Sequence, residues 1–148
     1  ALLTKSDIKF EADIQYFDLT DAILKTDGSA RKVPVPEIIA GQLSSYLKVR
    51  TTERLFDFPL NADGKAQNAA SHKGMRYIRQ ITSDPRLVMH SMRHTFKDLS
   101  RNAGIPKDLH DFITGHRDGD TASSYGEGHS LAIKYEALNK IPHRYLLG

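Results

Sequence analysis

Four side chains between His90 and Tyr125 are of the types that handle a phosphate ester. The stretch opens with His90-Ser91-Met92-Arg93-His94-Thr95-Phe96. It closes with Thr114-Gly115-His116, a polar loop, and Tyr125. It thus offers the imidazoles of His90 and His116, the guanidinium of Arg93 and the phenol of Tyr125. An arginine fork near a helix N-terminus suits phosphate, because paired guanidinium donors, backbone N–H groups and the helix dipole all favour an anion there. A phenol, with a pKa of ~10, attacks at neutral pH only beside cations and a base. Together the set fits phosphate transfer without a metal.

Taken singly, each residue reads better as ordinary. His90 and Arg93 share a helix face and suit a solvated helix start. His116, at a helix end, suits a C-terminal cap. Tyr125 lies among Gly, Ser, Asp and Thr, where an exposed loop tyrosine is common. Lys25, just before Asp27-Gly28, suits the edge of a strand. Arg31 and Lys32, across that turn, are either solvated or placed to touch a DNA backbone.

The elements that must position these groups can be read from spacing. Residues 1–4 resemble the end of a buried helix, and Lys5-Ser6-Asp7-Ile8 breaks that pattern. Ile14, Tyr16, Phe17 and Leu19 alternate in part, and Asp27-Gly28 between two β-prone runs signals a hairpin, so residues 14–35 read as a small antiparallel sheet. Pro34 and Pro36 end it. Ile38, Ile39, Leu43, Tyr46 and Leu47 recur at helical spacing and predict a helix over 37–49. Ala66, Ala70, Tyr77, Ile78 and Ile81 predict another over about 65–81, in which Gly74 implies a close helix contact. Met92, Phe96, Leu99 and Ala103 mark the buried stripe of a helix over about 91–103, with Gly104 as its left-handed cap. Pro106 begins a short helix that turns Leu109, Phe112 and Ile113 inward and ends near Gly115. Residues 117–124 read as a loop. Leu131, Tyr135 and Leu138 give a last helix, stopped by Pro142. The fold class expected is α+β and mostly α-helical: a small antiparallel sheet near the N-terminus followed by a helical bundle.

Composition narrows the function classes. The 148 residues make one domain, 39% hydrophobic and 26% charged, as in ordinary soluble proteins. No apolar run approaches the ~20 residues of a membrane span, and no signal peptide opens the chain. With no cysteine, thiolate nucleophiles, disulfides and cysteine zinc sites are excluded, which fits a reducing cytoplasm. Lys and Arg number 21 against 18 Asp and Glu, a mildly basic balance compatible with a polyanionic partner. The chain starts at Ala1 without Met and is expected to be a fragment.

The joint pattern resembles the catalytic domain of tyrosine recombinases, the phage-integrase family, in its prophage-integrase style. The family's His-x-x-Arg signature, usually followed by His-Thr-Phe, is matched by His90-Ser91-Met92-Arg93-His94-Thr95-Phe96. Its Gly-His signature, with the tyrosine nine residues on, is matched by Gly115-His116 and Tyr125 (125 − 116 = 9). Asn102-Ala103-Gly104-Ile105-Pro106 is similar to its helix break. Lys25-Thr26-Asp27-Gly28-Ser29-Ala30-Arg31-Lys32-Val33-Pro34 is similar to the hairpin that carries its catalytic lysine. The resemblance covers nearly the whole chain, with three motifs in order. It implies site-specific DNA recombination, the integration or excision of mobile DNA. Tyr125 would attack a phosphodiester, Arg93 pair with the non-bridging oxygens, His90 take a proton or hold the phosphate, His116 hydrogen-bond it, and Lys25 protonate the leaving oxygen. Arg31, Lys32 and His94 would contact DNA. The implied partner is double-stranded DNA, bound by a homotetramer that is monomeric when free, in a bacterial or phage-encoded cytoplasmic protein. No cofactor, small-molecule substrate or membrane is implied. No metal is implied either: carboxylates do not cluster near these residues, and Arg and Lys fill the role of Mg²⁺.

One departure stands out. The family's first catalytic arginine lies in a segment resembling Thr-Gly-x-Arg-x-x-Glu-Ile, which would belong between Thr4 and Lys5. No arginine precedes Arg31. The alternative reading is therefore a catalytically silent DNA-binding domain of the same fold. A metal-dependent hydrolase using the seven histidines ranks below both, since His90/His94 is the only spacing that suits two ligands on one helix.

Overall fold

The structure, a computed structural model, describes residues 3–20, 30–116 and 128–142. These form a three-stranded antiparallel sheet and five α-helices, an α+β arrangement as the residue pattern predicts.

The strands are β1 (Ile8–Glu11), β2 (Ile14–Asp18) and β3 (Lys32–Pro34), with β2 in the centre. β1 was not expected: Lys9 and Glu11 break its apolar pattern, and Phe10 is exposed on it. Its pairing is set by the backbone, with Ile8 opposite Phe17 and Glu11 opposite Ile14. The two-residue turn between them puts Ala12 and Asp13 at φ 48° and 65°, the left-handed geometry that matches strand twist in a tight hairpin. β3 pairs Val33 with Phe17 and Lys32 with Asp18. As an edge strand it tolerates Pro34, which has no N–H to give. The expected Asp27-Gly28 turn lies outside the described residues. Leu3 and Thr4 are not helical, contrary to expectation. They run beside residues 53–55, where the Leu55 N–H donates to the Leu3 carbonyl at 2.8 Å and the Lys5 N–H to the Glu53 carbonyl at 2.9 Å.

The helices are α1 (Glu37–Val49), α2 (Gln67–Ile81), α3 (Met89–Asn102), α4 (Lys107–Thr114) and α5 (Leu131–Lys140). Their bounds follow local chemistry. Pro36 precedes α1 and Pro106 precedes α4, each with φ near the value proline fixes. Gly104 and Gly115 follow α3 and α4 at φ 70° and 66°, where an L side chain is strained. The Ser130 Oγ accepts from the Ile133 N–H and caps α5. Gly74 is where α2 meets α3: a Cβ there would overlap the Met89 thioether.

The core lies between α3, α4 and α5. Ile105, Leu109, Ile113, Ala137, Leu138 and Ile141 are buried together, with Phe96, Leu99 and Ala103 packed against them. Met92, placed in the buried stripe by its spacing, is instead exposed, as are Tyr77 and Ile81 on α2. In the N-terminal half of α3, Met89 turns to α2 while His90, Met92, Arg93 and His94 are exposed. The sheet joins through α5. There the buried Lys134 ammonium donates to the Lys32 carbonyl at 3.0 Å and fixes β3 against the helix. Burial first, then the charge of Lys32, lowers the pKa of Lys134.

Candidate functional site

Three elements converge on one place. α3 supplies Arg93 from its second turn, where the side chain is exposed. α4 ends at Gly115, whose left-handed conformation lets both its own N–H and that of His116 donate to the Asp111 carbonyl. That reversal sends His116 back towards α3. Its Nδ1 stands 3.2 Å from an Arg93 Nη. A guanidinium only donates, so Nδ1 is the acceptor in this pair. The two signatures that the sequence spacing singled out therefore meet in space across 23 residues.

The third element is the start of β3. Arg31 donates from Nε to the Ile113 carbonyl at 3.0 Å, so the last turn of α4 accepts a bond from the strand. Its guanidinium lies against Gly115. A Cβ on that residue would stand 2.5 Å from Nη1 and 2.8 Å from Cζ. Gly115 is thus required twice, for its φ and for the space that Arg31 fills. Burial, and then the nearby charge of Arg93, push the Arg31 pKa below the usual arginine value. The group remains charged at any ordinary pH. Two guanidinium groups and an imidazole therefore share one corner of the molecule.

His90 and His94 form a pair of their own on the first turns of α3, with rings edge to face at 5.0 Å. Both are exposed. The first turn that carries them is closed by Ser91, whose Oγ accepts from the Val88 N–H at 3.0 Å. Lys32 is drawn onto the sheet: its ammonium is 2.5 Å from the Glu11 carboxylate and 5.2 Å from the centre of the Tyr16 ring. The hydrogen bond it donates to Glu11 raises its pKa. Tyr125 and Lys25, the expected nucleophile and general acid, lie outside the described residues.

Sequence reasoning missed several buried polar residues, Lys134 and His110 among them. Lys134 stands three residues after Leu131 and four before Leu138, so it shares their inward face, and that spacing was the available signal. His110 sits under the site on α4, its ring 5.6 Å from that of Phe96, with Nδ1 3.1 Å from an Asp111 Oδ and Nε2 buried without a hydrogen-bond partner. On the far side of α4, the His129 Nε2 is 2.7 Å from an Asp108 carboxylate oxygen and its ring stands edge-on to Phe112. Among the described residues, no three His, Asp or Glu side chains gather as a metal site would require, and no helix is long and apolar enough to cross a membrane.

Comparison of the chain with known protein families, with curated proteins and with solved structures finds no match.

Proposed function

We propose that this chain is the catalytic domain of a DNA strand-exchange enzyme of the tyrosine-recombinase type. The observation that carries the reading is the Arg93–His116 pair. Two motifs distant in sequence, each unpersuasive alone, make a 3.2 Å contact on an exposed face of α3. A cationic, solvent-facing corner with an imidazole acceptor is what a phosphodiester needs from a protein that handles it without a metal.

In this reading the Tyr125 Oη attacks the scissile phosphorus and the bond to the 5′-oxygen breaks, leaving a 3′-phosphotyrosine. The phenolic proton passes to His90, and Lys25 gives a proton to the departing 5′-oxygen. Arg93 neutralises charge on the non-bridging oxygens as it grows. His116 hydrogen-bonds the same phosphate. The ester bond is conserved on the tyrosine, so a second 5′-hydroxyl can reverse the step without ATP. Duplex DNA is the partner, held largely by phosphate contacts and therefore sensitive to salt.

The test uses nicked duplexes with randomised arms, from which the short fragment bearing the freed 5′-hydroxyl diffuses away after cleavage, trapping the covalent complex. A protein–DNA adduct that is lost in Tyr125→Phe is the expected result. Salt-sensitive binding with no adduct would instead favour a silent DNA-binding domain, the reading suggested by the lack of any arginine before Arg31. Adduct formation abolished by EDTA would sink the metal-free mechanism.

A further inference from the structure

A phosphodiester under attack accumulates negative charge on its non-bridging oxygens, and one guanidinium is a thin complement for it. We propose that Arg31 is the second cation of the phosphate site, placed against the same oxygens as Arg93. The inference takes its substrate from the strand-exchange reading, but its place in the fold comes from geometry alone.

Arg31 is held rather than merely nearby. Its Nε donates to the Ile113 carbonyl, and its guanidinium packs against Gly115. The next residue is His116, and His116 touches Arg93. A chain of direct contacts therefore runs from Arg31 through Gly115 and His116 to Arg93. The charges of the two arginines act on one another, at a cost that an anion between them would reverse.

An arginine that only capped α4 would explain the bond to Ile113, because a cation is favourable at a helix C-terminus. It would not explain why that cation shares a corner with Arg93 and His116. The choice of arginine also fits. A guanidinium can bond a carbonyl through Nε while its Nη edge faces elsewhere, whereas the point charge of a lysine cannot serve both directions. The position of the strand completes the design: β3 carries Arg31 in from the sheet side, while α3 and α4 bring Arg93 and His116 from the helical side.

Two measurements test this. The first follows the imidazole NMR signals during titration with inorganic phosphate. Arg31→Gln, which can still donate to Ile113 but carries no charge, is expected to weaken phosphate binding about tenfold, the value of one charge-assisted contact. Arg31→Lys should fall between. The second is the rate of adduct formation on the nicked duplexes. Arg31→Gln is expected to slow it by ~10²–10³, while duplex binding keeps its salt slope to within about one unit. A duplex with a methylphosphonate at the scissile position, which lacks the charge that Arg31 would face, should bring Arg31→Gln close to the unaltered protein. A structural role alone would not produce that rescue.

Wild-type phosphate affinity and wild-type cleavage in folded Arg31→Gln would overturn the inference and leave the strand-exchange reading intact. Slow cleavage without methylphosphonate rescue would also overturn it. No adduct from the unaltered chain would overturn the strand-exchange reading. Arg31-dependent phosphate affinity in that case would still support a two-arginine site.

Discussion

Gly115→Ala is the substitution whose cost the structure specifies best. Gly104 provides its control. Both glycines end helices in the left-handed region, at φ 66° and 70°. An alanine at either is strained by about 1–2 kcal/mol. Nothing lies within 4 Å of a Cβ built on Gly104, whereas one on Gly115 meets the Arg31 guanidinium at 2.5 Å. Arg31 must then leave its seat and lose the hydrogen bond to Ile113. A hydrogen bond to a charged group is worth roughly 1.5–3 kcal/mol, reduced here to about 1–2 because Arg31 is only half-buried. Gly115→Ala should therefore cost about 2–4 kcal/mol and Gly104→Ala about 1–2 kcal/mol. Urea unfolding at fixed pH, with the slope unchanged between variants, reads the difference. Repeating Gly115→Ala in an Arg31→Ala background should bring its cost down to that of Gly104→Ala, a coupling of about 1–2 kcal/mol. Equal losses at the two glycines, or no coupling to Arg31, would refute the assignment of Gly115 as the seat of that side chain.

Two further outcomes follow from the elements that hold the site. Burial opposes ionisation of Asp18, but hydrogen bonds from Lys9 and Thr20 outweigh it and set the carboxyl pKa at about 2, below its ordinary 3.8. Because the folded value is depressed, the stabilisation is complete above about pH 4 and is lost as pH falls towards 2; it amounts to roughly 2 kcal/mol, and Asp18→Asn should flatten that part of an acid-unfolding curve. At the α2–α3 contact, Gly74→Leu must drive out the Met89 side chain, and should cost about 1–3 kcal/mol with partial recovery in Gly74→Leu/Met89→Ala, followed by thermal unfolding.

Much of the helical half is legible in the sequence because its signals are local. Proline before α1 and α4 and glycine after α3 and α4 act through their own φ, so the helix ends are written at single positions. Gly74 likewise stands where two helices close on each other. What the sequence hides is non-local. β1 has no buried face of its own and exists by pairing to β2, so its alternation carries no signal. Met92, Tyr77 and Ile81 have the right spacing for a core and are exposed all the same, because apolar periodicity shows which residues share a face and not what covers it. The site divides in the same way. Spacing picks out His90, Arg93 and His116, yet the ring contact of His90 is with His94, whereas Arg93 turns to His116. Arg31 reads as one basic residue among several, and only the fold brings it over Gly115.

The spacing between Arg93 and His116 has a mechanical reason. From Arg93 to the end of α3 at Asn102 the helix rises about 14 Å, and α4 climbs back about 12 Å, at ~1.5 Å per residue. The turn through Gly104, Ile105 and Pro106 reverses the chain between them, and the Ile105 N–H bonds the Ser100 carbonyl to hold the reversal. Phe96, Leu99 and Ala103 pack against the core cluster that includes Ile105, Leu109 and Ile113. The two rises are similar, and His116, two residues past α4, contacts Arg93. One residue more or less in α4 would swing His116 about 100° around the helix axis and away from the guanidinium. It would also move Gly115 from beneath Arg31. The core stripe and the polar corner are therefore set by one geometry: the packing that buries Leu109 and Ile113 is what fixes the position of His116. The contact between Arg93 and His116 thus rests on the packing of α3 and α4 around the shared core.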